Sequence, residues 1–221
     1  MNPLLQKQGE VSIVVAGRTI AASLQVPAQA KGLVLFAHGS GSSRHSPRNR
    51  FVADALNAAG LGTMLLDLLT EQEDEIDRTT AQFRFDIALL TDRLIGATRW
   101  VRQQEALRSF VCGYFGASTG AAAALEAAAS LPEDVSAIVS RGGRPDLAPH
   151  IAEVRAPTLL IVGGADPQTL ALNRKAMLSM HMEYGLSIVP NATHLFEEPG
   201  ALAEVAQLAA SWFLHHLKRQ K

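Results

Sequence analysis

A serine flanked by two glycines is the feature of this sequence with the clearest chemical potential. The segment Gly116-Ala117-Ser118-Thr119-Gly120 follows the apolar run 111–115 and precedes the alanine-rich run 121–124. This order predicts a strand, a sharp turn and a helix, with Ser118 at the tip of the turn. Such a turn presents a nucleophilic hydroxyl above the start of a helix, whose dipole stabilises negative charge. The alternative is an ordinary strand-to-helix turn in which Ser118 only caps the helix.

Two further side chains complete the chemistry that a serine nucleophile needs. Asp166 comes shortly after the apolar run 157–162, and His194 comes shortly after the run 186–189. A neutral imidazole can take the hydroxyl proton, and a carboxylate on the other ring nitrogen fixes its tautomer. We assign His194 as the base and Asp166 as the acid. Taken singly, Asp166 has the simpler interpretation of a helix N-cap, and His194 that of a residue that caps a loop.

Other acids and histidines fit this scheme less well. Asp67 follows a strand that precedes the serine, and Asp146 is a second alternative acid. The remaining rival bases lie in predicted loops or helices: His45, His150, His181, His215 and His216. The histidines lack the close His/Cys spacing of a zinc site, so we expect no metal.

A glycine-rich segment, His38-Gly39-Ser40-Gly41, follows the buried-type strand 33–37. Attack on a carbonyl creates an oxyanion that needs preorganised hydrogen-bond donors. We assign these donors to the main-chain N–H groups of Thr119, directly after the nucleophile, and of Ser40. His38 is expected to shape this loop, and His38 and Gly41 are also candidate substrate contacts.

Two arginines, Arg141 and Arg144, follow the predicted strand 135–139. One hypothesis is that one of them, Arg141 in the first place, pairs with an acidic group of the substrate. The alternative is a structural ion pair with a local carboxylate such as Asp146, Glu197 or Glu198.

Strands and helices alternate along the chain after a predicted hairpin of 11–15 and 19–26. Short apolar strands are expected at 33–37, 63–66, 109–115, 135–139, 157–162 and 186–189, and helices at 47–59, 80–104, 119–131, 169–181 and 201–217. Such alternation predicts an α/β fold, a mostly parallel sheet with helices on both faces. The acidic stretch 71–75 is predicted as a solvated loop, with a metal site as the less favoured alternative.

Composition narrows the class of protein further. The 221 residues, 48% of them hydrophobic, fit a single domain over 1–221 with a sizeable core. A net charge of -1 does not suggest a nucleic-acid partner. The one cysteine, Cys112, fits a buried strand position better than a reactive thiol. Neither a secretory signal in 1–10 nor a membrane span is evident, which favours the cytoplasm.

The four motifs together resemble the α/β-hydrolase superfamily, and most of all its dienelactone hydrolase-like branch. The resemblance covers nearly the whole chain and rests on 38–41, 116–120, 163–166 and 192–194. It implies an eight-stranded, mostly parallel sheet with one antiparallel strand near its start. Dienelactone hydrolases carry a cysteine nucleophile where this chain has Ser118, which favours a general esterase. Only 141–155 separates Ser140 from the next strand, so no large cap domain is expected.

The sequence therefore predicts a serine hydrolase that cleaves a small carboxylic ester or lactone through an acyl-enzyme. No cofactor is implied, and the expected partner is the small-molecule substrate, not nucleic acid or a membrane. Two alternatives stay open. One is a binding protein of the same fold without hydrolysis, and the other is an acyltransferase that uses the same three residues.

Overall fold

The computed structural model describes residues 7–218, so most of the segment in which a secretory signal was sought lies outside the described residues. Within that range eight strands form one sheet. They are β1 (Lys7–Val15), β2 (Arg18–Val26), β3 (Leu33–Ala37), β4 (Gly62–Leu66), β5 (Cys112–Ala117), β6 (Val135–Arg141), β7 (Thr158–Gly163) and β8 (Tyr184–Val189).

The sheet has the strand order β1-β2-β4-β3-β5-β6-β7-β8. Strand β2 runs antiparallel to both of its neighbours, whereas every pair from β4 to β8 is parallel. The β1–β2 hairpin closes at Ala16 and Gly17, which both have positive φ. This confirms the predicted eight-stranded, mostly parallel sheet with one antiparallel strand near its start.

Helices cover both faces of the sheet. They are α1 (Pro47–Ala58), α2 (Glu71–Thr80), α3 (Ile87–Gln103), α4 (Thr119–Ser130), α5 (Pro167–Met177) and α6 (Ala201–His216). Helices α1 and α6 pack together on one face, and α3 and α4 pack together on the other. Every residue of β3, β4, β5 and β7 is buried, as expected for parallel strands covered on both sides.

The prediction of an acidic loop at 71–75 was wrong, because these residues form the first half of α2. Thr70 and Glu73 make a reciprocal capping box at its start. Acidic side chains in a first turn also interact favourably with the helix dipole. The stretch is therefore acidic because it begins a helix.

The prediction of one helix over 80–104 was wrong in its first turn and a half. Helix α2 ends at Thr80, its C-cap Ala81 adopts a left-handed conformation with φ 55, and α3 begins only after its N-cap Asp86. The buried carboxylate of Asp77 accepts the main-chain N–H groups of Phe83 and Arg84 and so stabilises the non-helical segment between the helices.

The connection from β6 to β7, residues 142–157, holds only two short 3-10 helices, Pro145–Leu147 and Ile151–Glu153. No cap domain covers the carboxyl edge of the parallel strands at this point, as predicted. None of the helices within 7–218 has both the length and the apolar character needed to cross a bilayer.

Candidate active site

Ser118 occupies a strained turn between β5 and α4, with φ 51 and ψ -121. A positive φ is uncommon for a residue with a side chain and is characteristic of functional turns. A Cβ on Gly116 would lie 2.4 Å from Cα of Ala121, and one on Gly120 would lie 2.2 Å from the Ala37 carbonyl oxygen. Both positions therefore require glycine. The Ser118 hydroxyl makes no capping hydrogen bond to α4, so the structure does not support the interpretation of Ser118 as a simple cap.

Asp166 and His194 form a hydrogen-bonded pair at the same edge of the sheet. Nδ1–H of His194 donates to Oδ2 of Asp166 over 2.8 Å, and the main-chain N–H of Thr169 donates to the other carboxylate oxygen over 3.1 Å. Burial opposes ionisation, but the hydrogen bonds from Thr169 and His194 keep the pKa of Asp166 below its usual value. Asp166 is also the N-cap of α5, so the capping interpretation holds together with the hydrogen bond to His194.

The main chain at 141–142 lies next to both Ser118 and His194. The N–H of Ser118 donates to the carbonyl of Arg141 over 3.2 Å. A Cβ built on the next residue, Gly142, would lie 3.5 Å from Nδ1 of His194. Among residues 7–218 no hydrogen bond joins the Ser118 hydroxyl to the imidazole, whose Nε2 has no protein partner. Such contacts in substrate-free enzymes often form fully only when substrate binds.

The loop after β3 passes directly beside Ser118. A Cβ built on Gly39 would lie 3.0 Å from Cβ of Ser118, and the hydroxyls of Ser40 and Thr119 are 3.0 Å apart. Within residues 7–218, neither the main-chain N–H of Ser40 nor that of Thr119 donates to a protein acceptor. Both N–H groups therefore belong to segments that border Ser118, and the protein itself leaves them without an acceptor.

His38 is fully engaged by the main chain. Its Nδ1–H donates to the Gly39 carbonyl over 2.9 Å, and its Nε2 accepts the N–H of Leu68 over 3.0 Å. Burial lowers the pKa of the ring, which favours this neutral form. The ring therefore shapes the loop, as predicted, and leaves no nitrogen for the substrate contact that was also considered. Gly41 is exposed, at a positive φ of 65.

The alternative acids have other partners. Asp67 forms an ion pair with Arg44 and also accepts its main-chain N–H over 2.7 Å. Asp146 receives two hydrogen bonds from Arg144, of 2.7 and 2.8 Å. Neither acid is bonded to His194. The structural interpretation thus holds for Arg144, whereas the guanidinium of Arg141 has no acceptor among residues 7–218.

The remaining histidines and Cys112 do not join this group. His150 is bound to Glu126, His45 contacts Arg50, and His216 faces Glu183. Cys112 is buried in β5, where burial raises the pKa of its thiol to about 11. Among residues 7–218 no three His, Cys, Asp or Glu side chains cluster as metal ligands would.

Sequence reasoning gave no role to Asp77, which braces the loop of Ser40. Nε of Arg84 donates to Asp77 over 2.6 Å, and the hydroxyl of Ser40 donates to the Arg84 carbonyl over 3.2 Å. Asp77 is 1% exposed, so this ion pair is largely buried. The sequence carries no signal for it, because Asp77 and Ser40 lie on different elements. The contact between Thr169 and Asp166, by contrast, does have a sequence signal. Thr169 lies three residues after Asp166, at the N3 position whose N–H an N-cap aspartate accepts.

Replacing Asp77 with asparagine is expected to lower the free energy of unfolding by about 3 kcal/mol, because a buried ion pair and its hydrogen bonds lose their charge. Urea denaturation at neutral pH measures this. The matched control is Asp74→Asn, which removes an exposed i,i+4 pair with Arg78 from the same helix. That change is expected to cost about 0.5 kcal/mol or less.

Wild type and Asp77→Asn should also differ in how their stability responds to acid. Burial opposes the shift, but hydrogen bonds from Phe83 and Arg84 lower the pKa of Asp77 in the folded state. Its stabilising effect is therefore complete above the unfolded pKa of about 3.9 and is lost as pH falls towards the lower folded value. The difference in free energy of unfolding between wild type and Asp77→Asn should narrow below about pH 4. If that difference stayed constant down to about pH 3, the stabilising role of the ionised Asp77 carboxylate would be contradicted.

No protein-family model matches the chain. A crystal structure of dienelactone hydrolase from Anabaena variabilis is 55% identical, covers 97% of this chain and 100% of its own, and superposes with a TM-score of 0.95. The chain belongs to the dienelactone hydrolase family. An esterase from Butyrivibrio proteoclasticus and a dienelactone hydrolase-like phosphotriesterase from metagenomic libraries, at 14% and 16% identity, share the fold alone.

Two further relatives are informative for this dienelactone hydrolase family member. An α/β serine hydrolase without lid from Xanthomonas campestris covers 100% of both chains at 20% identity and a TM-score of 0.76, and so shows the fold alone. A Mycobacterium tuberculosis H37Rv protein, provisionally named a phosphoribosyl transferase, is 54% identical over 209 residues, which are 94% of this chain. The chain spans about half the length of that protein, 46%, so the name describes a longer molecule.

Proposed function

We propose that this protein is a serine hydrolase that cleaves a small carboxylic ester or lactone through an acyl-enzyme on Ser118. The observation that carries the proposal is the hydrogen-bonded Asp166–His194 pair at the sheet edge where Ser118 occupies its strained turn. Nδ1 of His194 is occupied by the carboxylate, which leaves Nε2 as the nitrogen that can accept a proton. This is the tautomer that a general base for serine requires.

In the first step, the Ser118 oxygen attacks the acyl carbon while Nε2 of His194 takes the hydroxyl proton. The imidazolium that forms is stabilised by Asp166. That carboxylate stays ionised well below neutral pH, because hydrogen bonds from Thr169 and His194 lower its pKa despite partial burial. The carboxylate thus orients the ring and balances its charge without itself taking the proton.

The carbonyl oxygen becomes negatively charged in the tetrahedral intermediate. The main-chain N–H groups of Ser40 and Thr119 are proposed to donate to it, since both lack a protein acceptor within 7–218. Thr119 is the first residue of α4, so the positive end of that helix adds to the stabilisation. Loss of one such donor typically costs about 2.7–4 kcal/mol of transition-state stabilisation.

The intermediate collapses when His194 returns its proton to the alcohol oxygen, and the acyl group remains on Ser118. Water, activated by the same imidazole, then attacks the acyl carbon and releases the acid. In a lactone, the alcohol stays attached to the acyl chain and leaves only with the final product. An alcohol in place of water would give acyl transfer from the same acyl-enzyme.

The test uses p-nitrophenyl acetate together with a fluorophosphonate probe. We expect wild-type protein to release p-nitrophenolate and to lose this activity as the probe labels it stoichiometrically. Adding a primary alcohol and measuring the acetyl ester formed separates acyl transfer from hydrolysis. Absence of both turnover and labelling in folded wild-type protein would instead favour a binding protein without hydrolysis.

A further inference from the structure

Asn173 is a fully buried polar residue in the second turn of α5, at 0% exposure. Its amide nitrogen Nδ2 donates to the Thr169 carbonyl over 2.8 Å and to the Gly143 carbonyl over 3.0 Å. The first bond lies within the helix, whereas the second joins α5 to the segment that follows β6. Oδ1 of the same amide is buried without a donor among residues 7–218, which costs stability, so packing alone does not favour asparagine at this position.

The segment that Asn173 holds, residues 141–144, brackets Ser118. The carbonyl of Arg141 accepts the N–H of Ser118 over 3.2 Å, and the N–H of Arg144 donates to the Ser118 carbonyl over 3.1 Å. Both main-chain groups of the strained residue are therefore bound to the two ends of this segment. A φ of 51 persists only where the surrounding structure fixes it, so the position of the segment sets the position of the hydroxyl.

Gly143, in the middle of this segment, is buried and closely packed. A Cβ on it would lie 2.6 Å from Cβ of Ala121 in α4, the helix that begins directly after Ser118. Among residues 7–218 no main-chain N–H donates to the Gly143 carbonyl, so its hydrogen bond comes from Asn173. Without this donor the carbonyl would be buried and unpaired, which favours a shift of the segment towards water.

The helix that carries Asn173 also carries the acid of the site. Asp166 is the N-cap of α5, Thr169 donates its N–H to that carboxylate over 3.1 Å, and the Thr169 carbonyl accepts Nδ2 of Asn173. Residues three and four positions apart lie on one face of a helix, so these three residues share a face. That face contacts both Gly143 and His194, the partner of Asp166.

We propose that Asn173 is a positioning residue for the nucleophile. Through Gly143 it fixes the segment 141–144 against α5, and so it sets the distance from Ser118 to the His194 imidazole. This role rests on the proposed function, because the distance matters only if the hydroxyl and the imidazole react together. A displacement of about 1 Å at the reacting atoms can lower a rate by about 100-fold.

Two substitutions and one matched control separate this role from a merely structural one. Asn173→Leu removes the donor at similar volume, and Asn173→Ser keeps a hydroxyl that reaches only the carbonyl one turn earlier in its own helix. The control is Asn57→Leu, because Asn57 is also buried in a helix and its Nδ2 donates over 3.1 Å to the hydroxyl of Thr63. Thr63 lies at the start of β4, at the edge of the sheet opposite Ser118. Both leucine variants should lower the Tm by several degrees, since each leaves a buried polar group unpaired.

Amide hydrogen exchange, followed by NMR, reports the position of the segment without reference to activity. Exchange at the N–H groups of Ser118 and Arg144 should be at least about tenfold faster in both Asn173 variants than in wild type. It should be unchanged in Asn57→Leu. Equal exchange rates in wild type and all variants would overturn the proposal.

Single-turnover release of p-nitrophenolate from p-nitrophenyl acetate, with enzyme in excess, gives the acylation rate constant and the apparent Kd of the ester. The rate constant should fall about 30- to 100-fold in both Asn173 variants, with Kd within about threefold of wild type. In Asn57→Leu both values should stay within about threefold. A wild-type rate constant in the Asn173 variants, or an equal fall in Asn57→Leu, would reduce Asn173 to a structural residue. Failure of the proposed function is distinguishable, because folded wild type would then release no p-nitrophenolate, and the positioning role would fail with it.

Discussion

Replacing Ser118 with alanine is expected to lower kcat for p-nitrophenyl acetate by at least about 10⁴-fold. The variant loses the atom that attacks the acyl carbon, whereas the free N–H groups of Ser40 and Thr119 remain. Those donors and substrate binding alone account for the small residual rate in such variants. Steady-state kinetics with active-site titration gives the ratio.

The fold should not change in this variant, because alanine replaces serine at the same positive φ and removes no side-chain cap. Circular dichroism and the Tm verify this. Ser130→Ala is the matched control, since that exposed serine lies at the other end of α4 and its hydroxyl donates to the Glu126 carbonyl. Equal kcat values in wild type and Ser118→Ala would remove Ser118 from the chemistry.

Replacing Asp166 with asparagine is expected to lower kcat by about 10⁴-fold. An amide cannot balance the charge of the imidazolium. Its NH₂ group, if turned towards His194, also favours the wrong ring tautomer, with the proton on Nε2. Stability should change little, because asparagine is as good an N-cap as aspartate and can still accept the N–H of Thr169.

Asp146→Asn is the control for this prediction, since it changes a neighbouring acid whose hydrogen bonds come from Arg144 and not from His194. Its kcat should stay within about threefold of the wild-type value. Activity of Asp166→Asn within tenfold of wild type, at unchanged Tm, would show that the carboxylate does not orient the base.

The sheet, and the polar residues that follow its strands, could be predicted from sequence because buried parallel strands are continuous apolar runs. The runs 33–37 and 157–162 correspond closely to β3 and β7. Once the parallel sheet is inferred, the residues that follow these strands must meet at one edge. The Asp166–His194 hydrogen bond is a direct consequence of that topology.

Prediction was wrong where a tertiary contact overrides helical periodicity. Phe83 stands at a helical spacing from Ile87, yet its N–H is bound by the Asp77 carboxylate and the chain there is not helical. Periodicity reports which residues face a core, and both helix and compact loop can satisfy it. A local signal was available at Thr70 and Glu73, whose spacing is that of a capping box.

The electrostatics of the site could not be read from sequence at all. Arg141 is the last residue of β6 and Arg144 follows three residues later, yet Arg144 is paired and Arg141 is not. What separates them is burial and the position of Arg48, which comes from a helix on one face of the sheet. Charge pairing between distant elements depends on distances that only the folded chain supplies.

The acyl-enzyme is the central claim, and mapping it is the most direct test. Wild-type protein is mixed rapidly with p-nitrophenyl acetate, quenched in acid within the first turnover, digested and analysed by mass spectrometry. We predict a burst of p-nitrophenolate equal to the concentration of active sites, with the acetyl group on Ser118. An acetyl group on another residue, such as Cys112 or Thr119, or turnover without any acetylated peptide, would contradict the account.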